Sequence, residues 1–258
     1  MSANFGQTQH VLWLSSILSG VIMCRTVYLT TGFLSSLYIK DYGRLNQGEK
    51  MEWKNRGFSS FHAILVSSVS FYLVFYSNDF RDSPHDSVSI VFRRCSLSDT
   101  MFGISLGYFA SDLGMILWLF PALGGKEYLL HHGISIYSIA LALITGEGHV
   151  YILMALISEC STPLMNIRWY LDVAGHKNSK IYLYNGFAMF FGWLFARIIL
   201  FIYILTDMYI HLDQIRMVVP IAFYSLLFLF PVLTGMNVYW FWKILHGLFK
   251  TISKRHVN

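Results

Sequence analysis

Seven long apolar segments constrain the fold of this 258-residue chain more than any other feature. About 20 apolar residues in a helix cross the ~30 Å hydrocarbon core of a bilayer, and each segment approaches or exceeds that length. Only 13% of the residues are charged, whereas soluble domains carry about 25%. The sequence therefore predicts an all-α, polytopic membrane protein with about seven transmembrane helices. The segments cover roughly residues 11–37, 58–76, 102–120, 128–145, 149–170, 181–205 and 218–245.

The basic residues are distributed unevenly over the loops between these segments. Cytosolic loops of membrane proteins carry an excess of Lys and Arg. This bias predicts a non-cytoplasmic N-terminus and a cytosolic C-terminus, and it explains the net charge of +5 without a nucleic-acid partner. With that orientation the cytosolic side holds twelve basic residues: Lys40, Arg44, Lys50, Lys54, Arg56, Lys126, Arg168, Lys177, Lys180, Lys250, Lys254 and Arg255. The opposite side holds four: Arg81, Arg93, Arg94 and Arg216.

A charged loop at 40–57 separates the first segment from the other six. We therefore predict an N-terminal helix and cytosolic loop at 1–47, a six-helix body at 48–247 and a cytosolic tail at 248–258. The loops around the fourth segment are short, which favours antiparallel neighbours. Arg25 interrupts the first segment, so six or eight spans remain as alternatives. The terminal Lys254-Arg255-His256 cluster is a weak signal for retention in an internal membrane.

Ionisable residues inside the apolar segments mark the candidate site, because such groups are costly in lipid and usually face a polar interior. The fourth segment begins with His131 and His132, and the spacing of helical residues predicts that His131 heads a stripe of small or polar residues. Similar stripes contain Asp112 in the third segment and Glu159 in the fifth. We expect the three stripes to converge on one cavity. The fourth-segment stripe contains His131, Ser135, Ser138, Ala142 and Thr145.

A histidine pair beside a buried carboxyl is suited to acyl transfer. An imidazole can remove a proton from an acceptor or attack an acyl thioester, and a carboxylate can orient it. We assign His131 as nucleophile or base, Glu159 as its orienting group, and His132 and Asp112 as substrate or oxyanion partners. Three alternatives remain open: helix packing alone, a metal site and a transporter relay. No metal and no cofactor are expected, because the other histidines are scattered.

The joint pattern of polar residues resembles the TLC domain, the membrane module of ceramide synthases and their relatives. The motifs that carry the resemblance are Lys50-Met51-Glu52-Trp53 with Arg56 and His62, Ser111-Asp112-Leu113, His131-His132, Glu159 to Pro163, Asn166 to Trp169, Asn185-Gly186, Arg197 and Met236-Asn237-Val238. Ceramide synthases have a histidine-aspartate pair and a further aspartate where this chain has Ser158-Glu159 and then Ser161-Thr162-Pro163. One acid is kept as a glutamate and the other is absent.

The resemblance implies a six-helix membrane barrel with an internal pocket, located in the endoplasmic reticulum and linked to lipid metabolism or lipid homeostasis. It implies a membrane lipid or a fatty acyl chain as the partner, with acyl-CoA as one candidate donor. Two functions follow as alternatives: an acyltransferase, or a non-enzymatic lipid-binding or trafficking factor. The candidate substrate-binding residues are Asn166, Arg168, Asn185 and Arg197.

Overall fold

Seven helical spans are present in the part of the chain that the structure, a computed structural model, describes, as the seven apolar segments predict. The described residues are 2–80 and 89–256, with side chains for 8–80 and 89–253. Arg81 and the side chains of Lys254, Arg255 and His256, all used in the sequence predictions, lie outside them. The helices are α1 (Ser2–Tyr38), α2 (Gln47–Phe75), α3 (Ser96–Trp118), α4 (Lys126–Thr145), α5 (His149–Ile157), α6 (Thr162–Val173), α7 (Lys180–Trp193), α8 (Leu200–Ile210), the short α9 (Leu212–Ile215) and α10 (Pro220–His256).

Six spans form a closed ring, in agreement with the predicted helical barrel. α2 packs on α3, α3 on α4, and α4 on α10. α10 packs on both α7 and α8. α7 contacts α6, and α8 contacts α5. α5 and α6 both pack on α2, which closes the ring. The fifth span consists of α5 and α6, and the sixth of α7 and α8. This arrangement places the inward faces of all six spans around one interior.

The first span, α1, lies outside the ring against α3 and α2. Glycines bring α1 and α3 into close contact, since a Cβ on Gly107 would collide with the backbone of Ile17 and Val21. Gly20 faces the backbone of Ile104 in the same way. Small residues are common where membrane helices pack closely, because dispersion contacts rather than the hydrophobic effect hold them together in lipid.

Two glycines make the sharp connection between α4 and α5. Gly146 and Gly148 have φ values of 73° and 69°, a left-handed conformation that glycine adopts without a Cβ clash. The tight connection makes α4 and α5 antiparallel neighbours. α2 begins with a capping box, in which the Asn46 side chain accepts from the Glu49 backbone and Glu49 accepts from the Asn46 backbone.

The fifth and sixth spans are irregular at corresponding depths. In the fifth, Ser158–Ser161 form a 3₁₀ turn between α5 and α6, and Pro163 at the start of α6 lacks the N–H that would bond the carbonyl of Glu159. In the sixth, Leu194–Ile199 form a π-helical turn that contains Arg197. Turns of this kind inside α-helices frequently occur at functional sites. Both irregularities face the interior of the ring.

Candidate functional site

A cavity lies inside the ring, and every one of the six spans contributes to its wall. It brings together all four candidate catalytic residues, Asp112, His131, His132 and Glu159. Their convergence follows from the three polar stripes on neighbouring helices. The other polar or aromatic lining residues are Asn55, Arg56, Ser59, Tyr108, Phe109, Tyr128, Thr162, Asn166, Trp193, Arg197 and Trp240.

His132 forms a hydrogen-bonded pair with Asp112 between α4 and α3. Its Nε2 lies 2.9 Å from Oδ2 of Asp112, and its Nδ1 lies 2.9 Å from the carbonyl oxygen of Tyr128. Asn55 donates to the other carboxylate oxygen at 2.7 Å, and Tyr108 donates to Oδ2 at 3.3 Å. The carboxylate therefore accepts from three groups.

The partners of His132 determine its protonation. The Tyr128 carbonyl can only accept, so Nδ1 must carry a proton. Two other donors favour Asp112 as an anion, and a protonated Nε2 would donate to that carboxylate. We therefore assign His132 as an imidazolium with both N–H groups occupied. In this state His132 supplies positive charge to the cavity but has no free lone pair for use as a base.

Glu159 forms a buried ion pair with Arg197. Nη2 of Arg197 lies 3.0 Å from Oε1 of Glu159, and Thr162 donates to Oε2 at 2.7 Å. Arg197 also donates to Ser161 at 3.1 Å and packs over the Trp193 ring at 4.9 Å. The 3₁₀ turn and the π-helical turn bring the two charges together. The acid that hydrogen-bonds a histidine in this cavity is thus Asp112, and Glu159, predicted from the sequence to orient His131, is paired with Arg197.

His131 is the unpartnered histidine of the pair. Its Nδ1 is buried, and no group in the described part of the chain hydrogen-bonds to it. The ring contacts Trp240 edge-on at 5.6 Å and lies 5.6 Å from the ring of His132. It also lines a second space inside the ring. The free imidazole therefore stands at the junction between a polar cavity and an apolar one.

The second space begins at the Glu159–Arg197 pair, which also lines it, and continues along α4. Ser135 and Ser138 line it beside His131, together with Phe201 and Phe230. A third space follows, and it shares Ser138 and Phe230 with the second. Ala142 and Thr145 line this third space. The stripe predicted on the fourth segment therefore faces two successive, mainly apolar spaces, here called the apolar passage, over a helical rise of about 21 Å at 1.5 Å per residue from His131 to Thr145.

The four candidate substrate-binding residues have different locations. Arg197 and Asn166 line the central cavity, and Asn166 also links α6 to α2 by donating to Ser60 at 2.9 Å and accepting from Arg56 at 3.0 Å. Asn185 lies outside the lining and donates to the Leu164 carbonyl at 3.1 Å, so it joins α7 to α6. Arg168 lines a separate groove on the outer surface.

The contribution of α2 to the cavity was not predicted from the sequence. Asn55 and Ser59 both line it, and the neighbouring His62 lies within 3.1 Å of Ser105. These three residues have the spacing i, i+4 and i+7, which places them on one helix face. This polar stripe was visible in the sequence, but it lies at the charged start of the second apolar segment. There a stripe that faces a cavity cannot be distinguished from one that faces solvent. In the described residues, no cluster of three or more His, Cys, Asp or Glu side chains is arranged to hold a metal ion.

Comparison with known proteins agrees with this architecture. The sequence model of the TLC domain matches residues 52–246. The chain belongs to the TLC domain family. Its resemblance to TLC domain-containing protein 4, implied by the same motifs, extends over most of the chain.

Three relatives illustrate this likeness. The human TLC domain-containing protein 4 is 28% identical over 238 residues, which cover 88% of this chain and 85% of the human protein. TLC domain-containing protein 4 A of Dictyostelium discoideum is 23% identical over 231 residues, or 86% of this chain and 83% of the relative. TLC domain-containing protein 4-B of Xenopus laevis is 29% identical over 174 residues, covering 66% of this chain and 63% of the relative.

Proposed function

We propose that this protein binds a membrane lipid or fatty acyl group in the central cavity and acts in lipid homeostasis of the endoplasmic reticulum, with acyl transfer as its chemistry. Membership of the TLC domain family, which is linked to lipid metabolism, supports the lipid assignment. The observation that carries the chemical proposal is the unpartnered imidazole of His131 between a polar cavity and an apolar passage. An acyl chain in the passage would bring its carbonyl group to His131.

Two balanced routes are available to His131. As a base, it removes the proton of an acceptor amine or hydroxyl while the acceptor attacks the thioester carbon. The C–S bond breaks, and His131 returns the proton to the departing sulfur. As a nucleophile, it forms a C–N bond to the acyl carbon while its own N–H proton passes to the thiolate. The acceptor then takes the acyl group and restores the N–H.

The neighbouring charges support this chemistry. Both N–H groups of the His132 imidazolium are occupied, so it would stabilise the negative oxygen of a tetrahedral intermediate at His131 only through its nearby positive charge. Asp112 holds that imidazolium in place at 2.9 Å. The opposite charges of Glu159 and Arg197 cancel in the cavity wall. The pair would therefore position a polar headgroup without repelling it.

The first experiment is mass spectrometry of the lipids that co-purify with the full-length protein. We expect a lipid with at least one fatty acyl chain to co-purify. The absence of any such lipid from the purified protein would contradict the binding proposal. Turnover of labelled acyl-CoA is then measured with sphingoid, lyso-lipid and sterol acceptors. His131→Ala should abolish turnover, while His246→Ala, a histidine outside the cavity lining, should preserve it. Bound lipid without turnover by the wild-type protein would instead favour the non-enzymatic lipid-binding or trafficking function.

A further inference from the structure

A second polar site lies on the outer surface of the bundle, where α6, α7 and α10 meet. The site has the form of a groove with seven lining residues. Two of its lining residues are basic, two are glycines and three are apolar. They are Arg168, Gly186, Met189, Lys243, Ile244, Gly247 and Leu248.

The groove is separate from the central cavity. The two share no lining residue among the described side chains. A buried cluster containing Trp193, Trp240 and Ile244 stands between them. The two tryptophans face the central cavity, whereas Ile244 faces the groove. A ligand in the groove would therefore occupy a different site from the proposed acyl substrate.

Arg168 is held rigidly at one side of the groove. Its guanidinium donates to the Tyr182 carbonyl at 2.9 Å and to the Thr251 hydroxyl at 3.3 Å, and it stacks 3.7 Å above the Tyr182 ring. In the described part of the chain, no carboxylate lies within salt-bridge distance of it. These contacts fix the side chain, and the nearby carboxylate of Asp172 is paired with Lys177 at 2.6 Å.

Lys243 supplies a second positive charge from α10. Its Nζ lies 3.5 Å from a carboxylate oxygen of Glu127, a long contact that leaves the side chain 45% exposed. Lys250 is exposed on the same face of α10, at the spacing i+7 from Lys243. The groove and its rim therefore favour an anion.

Gly247 and Gly186 keep the groove open. A Cβ on Gly247 would meet no atom within 4 Å, and one on Gly186 would approach Nη1 of Arg168 at 2.9 Å. Larger side chains at these positions would fill the space beside the two basic residues. The glycines thus leave room for a ligand group next to the guanidinium.

The groove lies near the end of α6 and the start of α7, where we expect the polar surface of the bilayer. Arg168 lies five residues before the end of α6 at Val173, and Gly186 lies six residues after the start of α7, which are roughly 8 and 9 Å at 1.5 Å per residue. The exposed side chains of Phe187, Trp242 and Phe249 on α7 and α10 indicate that lipid surrounds this region. The same end of the bundle carries the excess of basic residues, and anionic lipids concentrate in the cytosolic leaflet.

We propose that this groove binds the headgroup of an anionic phospholipid from the surrounding leaflet. Its phosphate lies between Arg168 and Lys243, and an acyl chain packs against Met189, Ile244 and Leu248. A soluble phosphate fits less well, because the apolar half of the groove would remain uncovered. The site is independent of the chemistry proposed at His131.

The test is native mass spectrometry of the full-length protein with added phosphatidylserine or phosphatidylcholine. We expect the wild-type protein to retain phosphatidylserine preferentially. Lys243→Gln should weaken that retention about fivefold, since one basic residue near an anionic surface contributes about that factor. Gly247→Leu should weaken it by occupying the groove without changing any charge.

One control distinguishes this site from general attraction. Lys180→Gln removes an exposed charge at the same end but outside the groove, so it should retain phosphatidylserine like the wild type. Gly247→Leu distinguishes the groove from the central cavity, because Gly247 lines only the groove. Equal retention of the two lipids by the wild type, unchanged retention by Lys243→Gln and Gly247→Leu, or competition by inorganic phosphate alone would overturn the proposal.

Discussion

The rings of His131 and His132, adjacent in the chain, stand 85° apart with their centroids 5.6 Å from each other. One step along a helix rotates a side chain by about 100°, so neighbours on α4 meet different surroundings. His132 turns toward Asp112 on α3, whereas His131 turns toward the junction of the two interior spaces. The same residue type thus serves as a fixed cation at one position and a free imidazole at the next.

This asymmetry predicts that alanine substitutions at the two histidines have unequal effects on stability. His131→Ala should leave thermal unfolding in detergent close to the wild type, because the buried Nδ1 has no partner to lose. His132→Ala should lower the free energy of unfolding by about 3–5 kcal/mol, since it leaves the charge of Asp112 buried without its cation. Equal losses from the two substitutions would contradict the assignment of His132 as the charged member.

The Glu159–Arg197 pair predicts a strong coupling between its two members. Arg197→Met alone should cost about 3–5 kcal/mol by leaving a buried carboxylate unpaired. Adding Glu159→Gln should restore much of that loss, because the remaining amide is neutral. A double-mutant cycle on thermal unfolding measures the coupling. Additive effects of the two substitutions would show that the charges do not interact.

The contact between α1 and α3 predicts a position-specific effect of added side-chain volume. Gly107→Val should destabilise the protein by roughly 1–3 kcal/mol, the usual cost of overpacking, because its Cβ collides with Ile17 and Val21. Gly114→Val on the same helix is the matched control, since a Cβ there meets nothing within 4 Å. Unfolding of both variants is compared in detergent; a similar loss at Gly114 would assign the effect to helix propensity.

The charge bias of the loops predicts the orientation in the membrane. The predicted loop 40–57 is a loop only as far as Asn46, because α2 begins at Gln47. Tags inserted at 40–46 and at the C-terminus should be cleaved by protease added to the cytosolic face of intact microsomes, because basic loops remain on that side. A tag at the N-terminus should be protected until detergent is added. Protection of the C-terminal tag would reverse the orientation and move the Arg168 groove to the other leaflet.

Local sequence was sufficient to predict the spans and their inward faces. Length and hydropathy determine which segments can cross a bilayer, and helical periodicity determines which residues share a face. The stripe from His131 to Thr145 lines the interior passage because of this periodicity. The same reasoning brought Asp112 and Glu159 to one cavity with the histidines.

The pairing of those charged groups was decided by the tertiary structure alone. From the sequence, Glu159 was a reasonable partner for His131, yet the rotation of α3 brings Asp112 to His132 and the irregular turns bring Glu159 to Arg197. Arg168 faces an outer groove for the same reason. Periodicity describes one helix at a time, whereas a contact between helices depends on their relative rotation and depth, which only the packing of the whole ring determines.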